Sequence, residues 1–351
     1  MNQTKTITSS FILICLAITL FIVGSLLAAD PLWLAGRFGV EAGKAYAEAL
    51  QYKHSYKAYA KSNDTVDAPL LENKNVPVLL YHSIIPKDDG YNVTVDVFKD
   101  HVFSLKQAGY ETITARQLRD FLKDGTPLPP HPVLITFDDG SKTSFYPVDP
   151  MFQALGFKGT NFIISKYSTG TEGAGSFYLS EDELRYAKST GRWEILSHGH
   201  DAHELDTPFM GGSNHFLSQR QFLELEGRFE NENDFSMRVL RDFTHSKDAL
   251  AQALSADMFG YAFPFGDFGQ NNSEYPENEK LILDAVARSY DIVFHQARWK
   301  HPEPFLYDNR MYMVPRIVVH TEWGGDELLQ AMTNYMASGV TSIPVGETGE
   351  E

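Results

Sequence analysis

The chain has 351 residues, 43% hydrophobic and 22% charged, enough length and apolar content for a substantial buried core. Its formal net charge of −16 excludes a general nucleic-acid binder, because neutralising phosphates needs a basic face. That charge suits a neutral or cationic ligand, or simply a well-solvated surface.

Residues 11–29, FILICLAITLFIVGSLLAA, form an uncharged apolar run close to the ~20 residues needed to cross a bilayer as a helix. A cleaved leader usually has a shorter apolar core and a small-x-small site, and Leu27 in SLLAAD spoils that site. Residues 1–30 therefore read as a signal-anchor in preference to a signal peptide. The remainder is expected to be exported, held on the outer side of the cytoplasmic membrane by that helix, or secreted if it is cleaved. Cys15, the only cysteine, lies within the run, so the exported part can form no disulfide of its own.

Residues 31–75 are rich in Ala, Lys, Glu and Tyr and read as a helical stalk or linker. From residue 76 to 335 the texture changes to short β-branched or aromatic runs alternating with amphipathic stretches, followed by a polar tail at 336–351. The apolar runs are VPVLLYH (76–82), PVLITFDDG (132–140), GTNFIIS (159–165), WEILSHGH (193–200), YAFPFG (261–266), YDIVFH (290–295) and VPRIVVH (314–320). Helix-like stretches separate them. TVDVFKDHVFSLKQAG carries Phe98, Val102 and Leu105 near helical spacing, and SEDELRYAKSTG opens with a capping-box pattern, Ser180 and Glu183. SKDALAQALSADMFG behaves similarly, while 206–240 reads as an inserted loop plus helix. Continuous apolar strands alternating with helices predict an α/β protein with a parallel sheet, and this number of units suits a parallel β/α barrel.

Ionisable residues end several of these runs: His82, then Asp138 and Asp139, then His198, His200 and His203. A parallel barrel gathers strand ends on one face. Five residues apart, His198 and His203 cannot share an ion from a regular helix or strand, but a loop curling through Gly199 lets them. Two imidazoles and one carboxylate leave a zinc position open for water. Adjacent carboxylates repel unless a cation takes one of them, and a ligating carboxylate beside a free one makes a ligand-plus-base pair. Adjacent Asp138 and Asp139 cannot flank a glycosidic bond as a glycosidase requires.

The runs VPVLLYHSI, LPPHPVLITFDDG, FKGTNFII, WEILSHGHDAHEL and YAFPFGDFG, in that order over residues 76–320, resemble the polysaccharide deacetylases of carbohydrate esterase family four. The resemblance implies a distorted parallel β/α barrel. It makes Asp138 the general base and gives the metal Asp139, His198 and His203 as ligands. The metal would be divalent, zinc in preference to cobalt, nickel or manganese. The family's histidine motif, H-[ST]-x-x-H, is here one residue longer, with Gly199 in place of the hydroxyl residue. That longer form resembles the branch that de-N-acetylates poly-β-1,6-N-acetylglucosamine, an exopolysaccharide of biofilms.

In FPFG, Pro264 and Phe265 match the family's R-x-P-[FY] motif without its arginine, and Arg316 would orient the base instead. The Phe265 N–H would donate to the oxyanion. Either His82 or His320 would be the general acid, with His82 favoured for the pocket, and His200 would stand behind the ligands or face substrate. His101, His215, His245 and His301 are expected at the surface, Trp193 in packing, and the Phe265 ring is the one aromatic that could serve as a sugar platform. The partners implied are an acetylated aminosugar polysaccharide and the membrane, with no nucleic acid. Peptidoglycan, chitin oligomers or O-acetyl xylan are alternative substrates for the same site. A catalytically silent, membrane-tethered carbohydrate-binding protein is the alternative of a different class.

Overall fold

The computed structural model describes residues 40–63, 67–70, 75–169, 175, 177–204, 215–270, 272–296 and 303–338. The N-terminal apolar run expected to anchor the chain, His301 and most of the polar tail lie outside the described residues. Among the described residues, no helix is long and apolar enough to cross a membrane.

Seven parallel strands form the framework among the described residues: β1 (Val78–Tyr81), β2 (Pro132–Phe137), β3 (Gly159–Ile163), β4 (Trp193–Ser197), β5 (Gly260–Ala262), β6 (Ile292–Gln296) and β7 (Met311–Val318). Each pairs with its neighbour in sequence, and β1 pairs with both β2 (Val78 with Leu134) and β7 (Leu79 with Ile317). The sheet therefore closes on itself as a parallel barrel. Strands buried on both faces explain the nearly continuous apolar runs: all six residues of β2 and all four of β1 are buried. A short strand, Phe305–Tyr307, adds antiparallel to β7.

The longer helices are α1 (Val40–Ser62), α2 (Val95–Gln107), α3 (Ala115–Asp124), α4 (Asp149–Leu155), α5 (Glu181–Ser189), α6 (Glu232–Leu254), α7 (Asn278–Val286) and α8 (Gly325–Ser338). The predicted capping box at Ser180 is present at the start of α5, and Thr114 with Gln117 and Asn231 with Asp234 form two more. The inserted stretch contains a small hairpin, Phe222–Leu223 with Arg228–Phe229. The helix expected beyond residue 246 is the second half of the long α6.

Alternation sorts the side chains into one inner and two outer cores, the second outer one holding Tyr261, Val293 and Met313. Val78, Leu134, Phe162, Leu196, Ala262, Phe294 and Val314 share one cluster inside the barrel. Leu79, Tyr81, Ile135, Phe137 and Ile317 belong to another, under α2 and α4. The stretch read as a stalk is a helix, α1, but it lies against the barrel. Tyr52, Tyr56 and Tyr59 fall at helical spacing and pack on this outer core, with Tyr56 and Tyr59 edge-on to Phe103 at 5.3 and 5.4 Å.

Candidate active site

Leu134 and Thr136 point into the barrel, and Asp138 continues their line one step beyond the end of β2. Arg316 enters from β7, two residues after Val314. Its Nη1 donates to Asp138 Oδ1 at 2.6 Å and its Nη2 to Oδ2 at 2.7 Å, a bidentate pair with both residues buried. Burial alone would push the Asp138 carboxyl up. The Arg316 and His198 charges outweigh it, and the group stays below its ordinary value. Asp138 is therefore an ionised carboxylate held rigidly at the barrel mouth.

Asp139 departs from strand geometry. Its φ of 72° is left-handed, as is that of Gly140 at 76°. Adjacent strand residues would face opposite ways, and this turn brings both carboxylates to the same mouth. His198 Nε2 lies 3.8 Å from Asp138 Oδ2 and 3.5 Å from Asp139 Oδ1, and His203 Nε2 lies 3.3 Å from Asp139 Oδ1. Ligand atoms of Asp139, His198 and His203 all fall within 4.8 Å of one another. Asp139 Oδ1 is buried, faces two ring nitrogens and accepts no hydrogen bond. His198 Nδ1–H donates to the Ala262 carbonyl at 2.9 Å, which leaves Nε2 as the lone pair. Burial lowers the His198 pKa to about 4, so the ring is neutral near pH 7. An orphaned carboxylate oxygen and two convergent imidazoles fit a divalent cation.

The histidine loop is tied down by α6. Asp242 accepts the Asp201 N–H at 2.6 Å and the His200 N–H at 3.3 Å, and Ser246 Oγ lies 2.6 Å from Ser197 Oγ. Burial pushes the Asp242 carboxyl up to about 6. Gly199 has φ 91°, and a Cβ there would stand 2.7 Å from that of Ala202. Asp242 was not foreseen. The signal for it was a carboxylate on the buried stripe Phe235, Val239, Phe243 and Ser246 of α6.

Residues 125–280 match the sequence profile of the family described as Polysaccharide deacetylase. The chain carries a polysaccharide deacetylase domain. The domain is thus that of an enzyme family. A Bacillus subtilis protein assigned by name to the polysaccharide deacetylases is 28% identical over 62% of this chain and 74% of its own length. The poly-beta-1,6-N-acetyl-D-glucosamine N-deacetylase of Staphylococcus epidermidis is 25% identical over 46% of this chain, which spans only 60% of that relative. The solved de-N-acetylase of Aggregatibacter actinomycetemcomitans shares the fold at 19% identity, with a TM-score of 0.59, over 72% of this chain and 99% of that one.

The deacetylase domain places the remaining predicted residues unequally. His82 is exposed just past β1, close enough for its charge to bear on Asp138 and Asp139. His320 lies 3.7 Å from Glu322 and packs on Trp323 at 4.6 Å, with no hydrogen bond or ion pair to either aspartate. His200 stays outside the ligand cluster, with Nδ1 2.9 Å from Ser165 Oγ and its ring stacked on the exposed His245 at 3.8 Å. Pro264 is buried and opens the single turn Pro264–Gly266, where Phe265 adopts φ 58° and its N–H meets no acceptor among the described residues.

One histidine expected at the surface is not there. His101 is fully buried, between the Tyr81 hydroxyl at 3.1 Å and the Trp323 carbonyl at 2.7 Å. His215 keeps 32% of its side chain exposed and stacks on Phe265, whose ring also packs on His203. Trp193 is packing, stacked on Phe152 at 5.3 Å.

Proposed function

We propose that this protein is a metal-dependent hydrolase that removes N-acetyl groups from N-acetylglucosamine residues of an extracellular or cell-wall polysaccharide, releasing acetate. The observation that carries the reading is the Asp139, His198 and His203 cluster with a second carboxylate, Asp138, locked beside it by Arg316. A divalent ion held there, zinc by preference, would polarise the acetamide carbonyl and acidify a water. Asp138, the carboxylate outside the ligand cluster, takes the proton from the attacking water. The Phe265 N–H, without an acceptor among the described residues, is available to the developing oxyanion. His82, at the open side of the mouth, returns a proton to the departing amine.

The favoured polymer is poly-β-1,6-N-acetylglucosamine, supported by the long histidine loop and by the Staphylococcus epidermidis relative. Export, with anchorage by the apolar residues 11–29, is part of the same proposal and suits a polymer outside the cell. The test is acetate release from defined β-1,6 and β-1,4 acetylglucosamine oligomers, with and without chelator. Release from the β-1,6 series that stops on chelation is the expected result. No release from either series would overturn the reading.

A further inference from the structure

The two ligand histidines are held by different means. His198 is fixed by its hydrogen bond to the Ala262 carbonyl on β5. Among the described residues, His203 has no such anchor outside its own backbone. Beyond Asp139, its ring packs on the rings of His198 at 5.5 Å and Phe265 at 4.6 Å. Phe265 carries a second imidazole, His215, stacked at 4.5 Å with the planes 8° apart. His215 is fixed in turn: its Nδ1–H donates to Asp267 Oδ2 at 2.7 Å, and the same oxygen accepts the Ser218 hydroxyl at 2.6 Å. Asp267 Oδ1 accepts the Gly269 N–H at 2.9 Å, so the carboxylate itself is not free to swing.

A ligand whose ring can rotate loses affinity for its ion, because each binding event must then freeze that rotation. Aromatic stacking supplies orientation where no hydrogen bond does. The left-handed backbone at Phe265 presents its ring partly to solvent, at 38% exposure, so Phe265 alone is a weak wall and needs support from a second ring.

We propose that His215, held by Asp267 and acting through Phe265, is a positioning residue that orients His203 for the metal. His215 touches no reacting atom. The inference rests on the metal-centre reading above and adds a residue to it.

The experiment is zinc titration of the full-length, metal-stripped protein against a chromophoric chelator, with thermal unfolding of the ion-free forms alongside. His215→Ala is expected to weaken zinc binding about tenfold, at the low end for groups that stand behind ligands. His215→Phe keeps a flat ring without the Asp267 bond and is expected to restore affinity to within a factor of about three. A role in folding alone would lower the ion-free melting temperature without this pattern in zinc affinity. Wild-type affinity in His215→Ala would overturn the proposal and leave the metal centre standing, as would equal losses in both variants. No zinc binding by the unmodified chain would overturn the metal centre itself, and the positioning role with it.

Discussion

The base side and the ligand side of this site are built differently. Asp138 stands one step beyond β2 and Arg316 lies on β7, the two strands that flank β1, and both are buried at the barrel mouth. His198 and His203 come from one loop beyond β4, and that loop is held by contacts from α6 and from the turn after β5. The strands give the base a fixed place and a fixed charge. The loop gives the ligands convergence that no regular element could supply. Damage to the first region should therefore appear in turnover and stability, and damage to the second in metal affinity.

The largest effect should come from His203→Ala, which removes a ligand. Zinc binding and acetate release should both fall to background, and a variant that still binds zinc like the wild type would break the division. Asp138→Asn should retain zinc while turnover drops by about 10²–10⁴-fold, the usual span for a lost general base. Acetate release at the wild-type rate would reject that role.

Arg316→Met should cost about 3–5 kcal/mol in urea unfolding, because it leaves a buried carboxylate unpaired. Asp138 is depressed below its ordinary 3.8 in the folded state, so the pair stabilises above that value. The contribution is lost as pH falls through the lower folded value. The double variant Arg316→Met, Asp138→Asn should recover part of the loss, and no recovery would show that the penalty is not the orphaned charge.

The smallest effect concerns Asp242, and its sign is opposite. Its carboxyl is raised from 3.8 to about 6, so the folded state favours the protonated form. That stabilisation is present below 3.8 and is lost as pH rises through about 6. Asp242→Asn, neutral throughout, should flatten this slope in unfolding measurements between pH 3.8 and about pH 6. An unchanged slope would remove Asp242 from the account.

Much of the framework was legible in the sequence because parallel strands buried on both faces write themselves as apolar runs. The carboxylates and histidines stood out because they bunch at the ends of those runs. Long-range pairing was not written locally. Arg316 meets Asp138 from 178 positions away, and only family resemblance pointed to it. Closure of the barrel likewise depends on β1 pairing with strands at both ends of the domain. His101 was misplaced although it sits on the Phe98, Val102 and Leu105 face of α2, where a polar residue with two partners can be buried. The stacking of His215 was not written locally, because its partners, Phe265 and Asp267, lie some fifty positions on. Composition favoured a stalk for α1, whereas the spacing of three tyrosines decided where it lies.

The crowding around residue 199 limits how such a loop can change. A side chain there would need both a backbone twist that L-residues resist and room that Ala202 already fills. Exchanging Gly199 for serine alone should therefore dislodge the second imidazole rather than recreate the shorter family motif. Reaching that motif would require removing one residue in the same step, so the two loop lengths are separated by a paired change rather than by a single substitution.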